Sequence, residues 1–520
     1  MKPTVFFLIN SIDLQRGGLT KASLKQASFF AEMGYDTHML TFNFNPDYPR
    51  IRRKLHKLRK VHSNVRIRNM YEELAGHKQP EYARSPAKKA SLKQLTKGTA
   101  AVKRPGYNAY RLYANGLYTS YIALRKNQSL NFIDYFNANR YRTKRETFDS
   151  WGHLAKTAYM DYKHNEPRQT IYYDRKQRAY LTQWHKPADE TTNRHVLFHK
   201  DGSVKKELTQ KERVLELDWL HDVIDRLGGK QSIVISDTRS TDDLLVKLHH
   251  PRAAKIWRLH SSHLEKPYTT DASIVPKVQY GMEHLEAFDA IALLTEEQKQ
   301  DISNRFGSHL NLTVVPHYHE TNTSFRQSLR AAAQKTDPRR CVIVSRLSSL
   351  KRLSHAIRAF RKVVNEFPDV CLDIWGTGKQ EPKLQTLIDE LDLGQNVFLR
   401  GYTYNPDAIY QRGLFSVTNS KSEGFALSIL ESMYNKTPVI SYNIKYGPED
   451  MIVDGENGYL IKPSIEQLAD RMIRLFREPK RAIDMGENAR KSIDEHFNKA
   501  VYKQKWQETI NTALANKRQS

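Results

Sequence analysis

Cysteine is nearly absent: the 520 residues contain two, Cys341 and Cys371. Two thiols are too few for a disulfide framework. Each lies beside an apolar run that reads as a buried strand, so both are expected to be reduced core thiols in a cytosolic protein. Long apolar runs are missing too. Val5–Ile9 is too short for a signal-peptide core, and no later stretch approaches the roughly eighteen apolar residues of a membrane span, which predicts a soluble or peripheral protein. There is no Asp-x-Asp pair and no clustered Cys and His set, so a metal-dependent route has no visible ligands. Acidic residues are scarce, 57 against 83 Lys and Arg, giving a net charge of +26. That excess implies a polyanionic partner: nucleic acid, anionic lipid or an acidic polymer. A nucleic-acid-binding protein fits the charge alone, since no zinc-finger, RNA-recognition or helix-turn-helix pattern appears and the aromatics do not recur as a base-stacking motif.

The length predicts two or three domains. Thr4–Ile9 reads as a strand, Leu19 onward as a helix ending near Gly34, and 37–42 as a second strand, a βαβ opening over residues 1–44. Gly17 and Gly18 sit in the loop after the first strand. A glycine pair there either lets a ligand approach the backbone closely or makes a plain turn. Residues 45–106 break the pattern and read as a basic helical segment. IRRKLHKLRK carries Arg52, Arg53, Lys54 and Lys57 on an amphipathic helix, either a solvated face or a surface for an anionic membrane or polymer. Between 51 and 130, nineteen Lys or Arg stand against three Glu.

From 107 to 209 apolar and polar positions alternate between Asn-Gly and Lys-Asp-Gly turns, which predicts an inserted antiparallel meander for contact with another subunit or a long acceptor. The α/β pattern resumes over 210–318, with strand ends at Asp237 and His260. In open parallel sheets ligands bind beyond the carboxyl ends of the strands, which is where both fall. His263 forms a His-x-x-His with His260, but without a third ligand this makes no zinc site. A polar linker at 319–339 leads into a second α/β pattern at 340–499, and a closing helix within 500–520 is long enough to cross back onto the first domain. The fold class expected is α/β: two Rossmann-like domains, 1–44 with 210–318 and 340–499, facing a cleft where a ligand would bind.

The richest stretch is KSEGFALSILESMYNKTPVISYNIKYGPED, 421–450. Gly424 permits a sharp turn before a helix expected over Phe425–Tyr434, with Leu427, Leu430, Met433 and Tyr434 on one face. Free N–H groups at Ala426, Leu427 and Ser428 would suit a phosphate. Glu431, eight residues after Glu423, is expected about two turns deeper than the terminus, roughly 12 Å along the axis, so it would accept from ribose hydroxyls and Glu423, at the mouth, from a sugar. Arg346 and Lys351, after the first strand of the second pattern, would meet the charge of a diphosphate leaving group.

Glu-Gly-Phe, Glu431, Thr437-Pro438 and Tyr446-Gly447-Pro448 resemble the signature of retaining nucleotide-sugar glycosyltransferases of the GT-B type. With LINSIDLQRGGLTKASL, RLHSSH, SRLSSLKR, IWGTGKQEPKLQ and VFLRGYT, most of the chain resembles the cytosolic α-glycosyltransferases that decorate wall teichoic acid of Gram-positive bacteria. The resemblance implies UDP-glucose or UDP-N-acetylglucosamine as donor, retention of configuration, no metal and no further cofactor. The acceptor implied is a poly(glycerol-phosphate) or poly(ribitol-phosphate). It assigns Gly17 and Gly18 to donor diphosphate and acceptor approach, His260 and Glu423 to the donor sugar, Arg346 and Lys351 to the diphosphate, and Glu431 to the ribose. It also implies a homotrimer built by the β insert, in the cytoplasm or peripheral to the inner face of the membrane. The basic stretch 51–105 departs from the pattern. Relatives of the same architecture that glycosylate Ser-rich or Ser-Asp repeat adhesins are the second reading.

Overall fold

TVFFLI at Thr4–Ile9 buries all six side chains, as a strand covered on both faces must. It runs parallel to Thr37–Thr41 on one side and Ser232–Ser236 on the other, and Arg66–Asn69 extends the row beyond Thr37–Thr41. This computed structural model describes residues 2–14, 18–77, 79–82, 86–186, 191–209, 213–319 and 336–519. The chain divides into two units, Met1–Ala254 and Lys255–Ser520. The division falls inside the 210–318 segment assigned above to the first Rossmann-like domain.

In the first unit, residues 45–106 do not form a separate helical segment. Tyr48–Lys57 is a helix, but Arg66–Asn69 belongs to the parallel sheet and Ala100–Lys103 pairs antiparallel with 110–113 as the first strand of the β insert. The insert is a ten-stranded meander from Ala100–Lys103 to Val204–Thr209, each strand bonded to its neighbour in sequence. Its turns use the expected chemistry. Asn115 and Gly116 both take positive φ, 48° and 78°, as a tight hairpin requires. The Lys- and Ser-rich run ahead of the insert also packs: Ala90, Leu92 and Leu95 cover the cluster of Leu112, Ile122, Leu124, Leu130 and Ile133.

The basic helix divides its charges. Arg53, Lys54 and Lys57 are exposed, whereas Arg52 is fully buried. Arg52 Nε donates to the Glu81 carbonyl at 2.7 Å, and its two Nη atoms donate to the Glu72 carboxylate at 2.7 and 2.8 Å. Its job is therefore to hold the first unit together, and a polyanion cannot reach it. Replacing Arg52 with Met strands the Glu72 carboxylate, which is 20% exposed. The expected loss is roughly 3 kcal/mol, read as a lower Tm, because breaking a buried pair leaves an uncompensated charge. The same change at Arg53 is expected to leave Tm unmoved.

The second unit contains a parallel run, made of the strand Ala253–Arg258 from Lys255 onward, Ala290–Leu293 and Leu312–Val314. It also contains a six-stranded parallel sheet in the order Val397–Leu399, Cys371–Trp375, Asp337–Val344, Gly413–Thr418, Val439–Tyr442, Gly458–Ile461. That sheet's first strand begins at Asp337, inside the expected linker, whose residues 320–335 lie outside the described residues. Cys341 is buried and Cys371 half-buried, and both are free thiols. The closing helix Lys499–Gln519 packs on the parallel run: Trp506 is fully buried, Thr509 donates to Thr313 Oγ1 at 3.0 Å, and Asn516 donates to the Asp289 carbonyl at 2.9 Å. Among the described residues no helix is long and apolar enough to cross a membrane.

Candidate active site

The strand Gly413–Thr418 ends in a loop that is stitched to the turn following Asp337–Val344. Asn419 donates to the Arg352 carbonyl at 2.7 Å, and the Lys421 amide donates to the Leu350 carbonyl at 2.8 Å. Residues 72 apart in sequence are thereby brought together. Lys351 Nζ pairs with Glu423 Oε1, and Ser420 Oγ donates to the same oxygen at 2.6 Å. Both bonds fall on Oε1, so Oε2 is the oxygen left to accept from a ligand. Arg346 lies exposed on the same turn and makes no ion pair with another described residue.

Gly424 is required for space rather than for an unusual backbone angle. A Cβ built there would meet the His260 carbonyl oxygen at 2.6 Å and Ser261 Cα at 2.8 Å. Gly447 takes a positive φ of 105°, and a Cβ on it would meet the Phe425 carbonyl oxygen at 2.3 Å. The Glu423 segment is thus held between two backbones. It is also bonded to the second of them: the Glu423 amide donates to the Lys445 carbonyl and the Tyr446 amide to the Glu423 carbonyl, both at 2.9 Å.

The helix begins at Leu427, two residues later than expected. Ala426 precedes it in the left-handed region (φ 61°, ψ 59°), and no side chain caps the terminus. The first amides, at Leu427 and Ser428, therefore have no partner within the helix, as helix starts do. Leu427 is 48% exposed, and the buried face is Ile429, Leu430, Ser432 and Met433. Glu431 lies four residues in, about 6 Å along the axis rather than two full turns. Its carboxylate receives no hydrogen bond from a described residue. Burial pushes its pKa up to about 7, Asp407 adds to the rise, and His319 opposes it. His319 lies 3.4 Å from Asp407 and packs on the Tyr434 ring at 4.1 Å, and Asp407 is further held by Asn435 at 2.9 Å.

The two histidines of the His-x-x-His part company. His260 is half-buried and stacks with His317 at 6.0 Å, and His317 in turn meets Phe425 edge-on at 5.4 Å. His263 is fully buried, stacks on Tyr446 at 5.9 Å, and has its pKa pushed down to about 4 by burial. It is a packing residue, and no group of three metal-capable side chains occurs among the described residues. Asp237 is buried in the first unit. Gly17 lies outside the described residues, and Gly18 opens the helix Gly18–Glu32 of the first unit. Sequence reasoning missed Asp301, which bonds both Lys445 Nζ and Tyr446 OH, the latter at 2.8 Å. Its only signal was helical spacing.

A family model described as glycosyl transferases group 1 matches residues 325–492. Poly(ribitol-phosphate) alpha-N-acetylglucosaminyltransferase of Staphylococcus aureus (strain COL) is 26% identical over 514 residues, covering 98% of this chain and 99% of that protein. Poly(glycerol-phosphate) alpha-glucosyltransferase of Bacillus subtilis (strain 168) is 26% identical over 526 residues, covering 98% of this chain and 75% of that protein. A crystal structure of an S. aureus TarM mutant in complex with Fondaparinux, alpha-GlcNAc-glycerol and UDP matches with a TM-score of 0.75 at 23% identity, covering 98% of this chain and 100% of that one. The chain is therefore a glycosyltransferase of GT-B fold, with a group 1 domain at 325–492 and with poly(ribitol-phosphate) and poly(glycerol-phosphate) α-glycosyltransferases as relatives over 98% of its length.

Proposed function

We propose that the chain transfers glucose or N-acetylglucosamine from a UDP-sugar to hydroxyls of a poly(glycerol-phosphate) or poly(ribitol-phosphate) wall teichoic acid, with retention and without a metal. The donor half is carried by one observation: Glu431 offers a carboxylate with no described partner just behind an uncapped helix start. A ribose diol can donate to that carboxylate while the diphosphate meets the amides of Leu427 and Ser428. Arg346 and Lys351 add fixed positive charge where the leaving diphosphate becomes more negative, and fixed charge needs no reorganisation as the bond breaks. Glu423, already held through Oε1, orients the sugar through Oε2. In same-face substitution the C1–phosphate bond breaks, the acceptor oxygen bonds to C1, and the acceptor proton passes to the departing phosphate oxygen. His260, seated against the Glu423 loop by Gly424, contacts the donor sugar on this reading.

The acceptor half rests on likeness over 98% of the chain to enzymes named for poly(alditol-phosphates), together with the net charge of +26. It is preferred over adhesin glycosylation for the first reason, since acidic repeats would satisfy the charge equally well. A cytoplasmic homotrimer belongs to the same reading. The insert ends on Ala100–Lys103, exposed at all four positions, which is an edge open to another strand. A solution mass equal to one chain would remove the trimer.

Purified protein given UDP-glucose, UDP-N-acetylglucosamine or UDP-galactose with defined polymers should release UDP with one of the first two, and EDTA should change nothing. Loss of activity in EDTA that manganese restores would remove the metal-free route. His260→Ala should abolish transfer and leave UDP affinity nearly intact, and an equal loss of UDP affinity would make His260 structural.

A further inference from the structure

A cavity of about 790 Å³ opens on the six-stranded-sheet region of the second unit, between the N-terminal turns of the helix Leu353–Glu366 and the length of the helix Glu381–Glu390. Arg346, Lys351, Glu423 and Glu431 do not line it. Four cations do, Arg352, Arg358, Lys383 and Lys421, against the single carboxylate of Glu390. None of the four makes an ion pair with another described residue. Ser348 Oγ, also in the lining, is buried without a hydrogen-bond partner. The helix Leu353–Glu366 has no side-chain cap, so its first amides add to the positive field. The field registers on a neighbour: beyond burial, Arg352, Arg358 and Lys421 pull the His355 pKa down.

We infer that this cavity is a second anion site, which holds a phosphodiester of the acceptor polymer away from the reacting hydroxyl. The inference rests on the polyanionic acceptor proposed above. A concave wall of unpaired cations focuses potential, and guanidinium forks fit phosphate oxygens in pairs. The lining has no Phe, Tyr or Trp to stack a base, which argues against a second nucleotide. Among the described residues no exposed large apolar side chain borders it, as a site seated in lipid would need. An anchored phosphate would keep the enzyme on a long chain between transfers.

The test is Arg358→Glu with Lys383→Glu in the full-length chain, both positions exposed and outside the donor residues. Affinity for long-chain inorganic polyphosphate should fall about ten-fold at low salt, and the salt dependence should flatten as charge contacts are lost. The KM for long poly(glycerol-phosphate) or poly(ribitol-phosphate) should rise in parallel, while the KM for UDP-sugar and for a single-repeat acceptor stays put. Arg358→Gln with Lys383→Gln, which adds no repulsion, should shift both in the same direction by less. Unchanged polyphosphate affinity in both variants overturns the site. Weakened polyphosphate binding in an enzyme that glycosylates no alditol-phosphate polymer overturns the acceptor reading and leaves the anion site standing. If the variants lose binding to phosphatidylglycerol vesicles while the polymer KM is unmoved, the site takes a lipid headgroup and the polymer assignment is overturned.

Discussion

Gly424→Ala is expected to lower kcat on the order of 100-fold while UDP affinity stays within a few-fold, because a displacement of about 1 Å between reacting groups costs that much. The cause is spatial. Gly424 is not among the glycines with positive φ, so alanine meets no conformational penalty there. Its Cβ would instead stand 2.6 Å from the His260 carbonyl oxygen and 2.8 Å from Ser261 Cα, and both are backbone atoms that cannot rotate aside. Retreat the other way is blocked. Glu423 is bonded at both its amide and its carbonyl to the 445–446 backbone, and Phe425 lies against Gly447 with no room for even one carbon between them. The strain must therefore separate His260 from Glu423. Arg346 and Glu431, on the nucleotide side, are not in its path. Calorimetry with UDP and steady-state transfer rates read the two quantities separately. Full activity in the alanine variant would mean that the enzyme works with these two segments apart, and would remove His260 from the sugar's surroundings.

The sequence carried the importance of Gly424 without its reason. A glycine before a helix reads as a turn, whereas the close approach is to a strand end some 160 positions earlier, and no local pattern encodes that distance. The insert was legible from 107 onward because hairpin turns and alternation are local. Its first strand, AAVK, is exposed at every position and so shows no apolar face to read. RIRN at Arg66–Asn69 was hidden for the opposite reason. Two cations in four residues suggest solvent, yet Arg68 is buried against Glu73 at 2.7 Å, as Arg52 is against Glu72. Charge is visible in a sequence but pairing is not. The same blindness covered Lys351 with Glu423, which looked like two independent ligand contacts, and the four cations around the cavity, which no spacing or motif joins.

Glu431→Gln should have opposite effects on stability and on donor binding, each with its own pH dependence. Burial holds the folded carboxyl near pH 7, above its ordinary value of 4.5. A carboxyl raised on folding favours the folded state at low pH and withdraws that support as pH climbs from about 4.5 through 7. At pH 8 the ionised, half-buried group therefore costs stability, with an upper bound of about 3 kcal/mol from the size of the shift. The glutamine variant should melt higher than the parent at pH 8 and no higher at pH 5. Donor binding runs the other way. A carboxylate accepts from both ribose hydroxyls and a neutral amide does so more weakly, so kcat/KM for the UDP-sugar should fall about ten-fold or more at pH 8. The parent's affinity for the UDP-sugar should itself decline as pH drops below 7, whereas the variant's should be flat. Asp407, held below the ordinary carboxylate range by His319 and Asn435 despite its burial, stays ionised through this window, and Tyr410 stays neutral. His319 also acts on Glu431, and His319→Asn should leave the profile in place. A variant that gains stability at pH 8 yet binds UDP-sugar as well as the parent would make Glu431 a mere burial defect and move the ribose contact elsewhere.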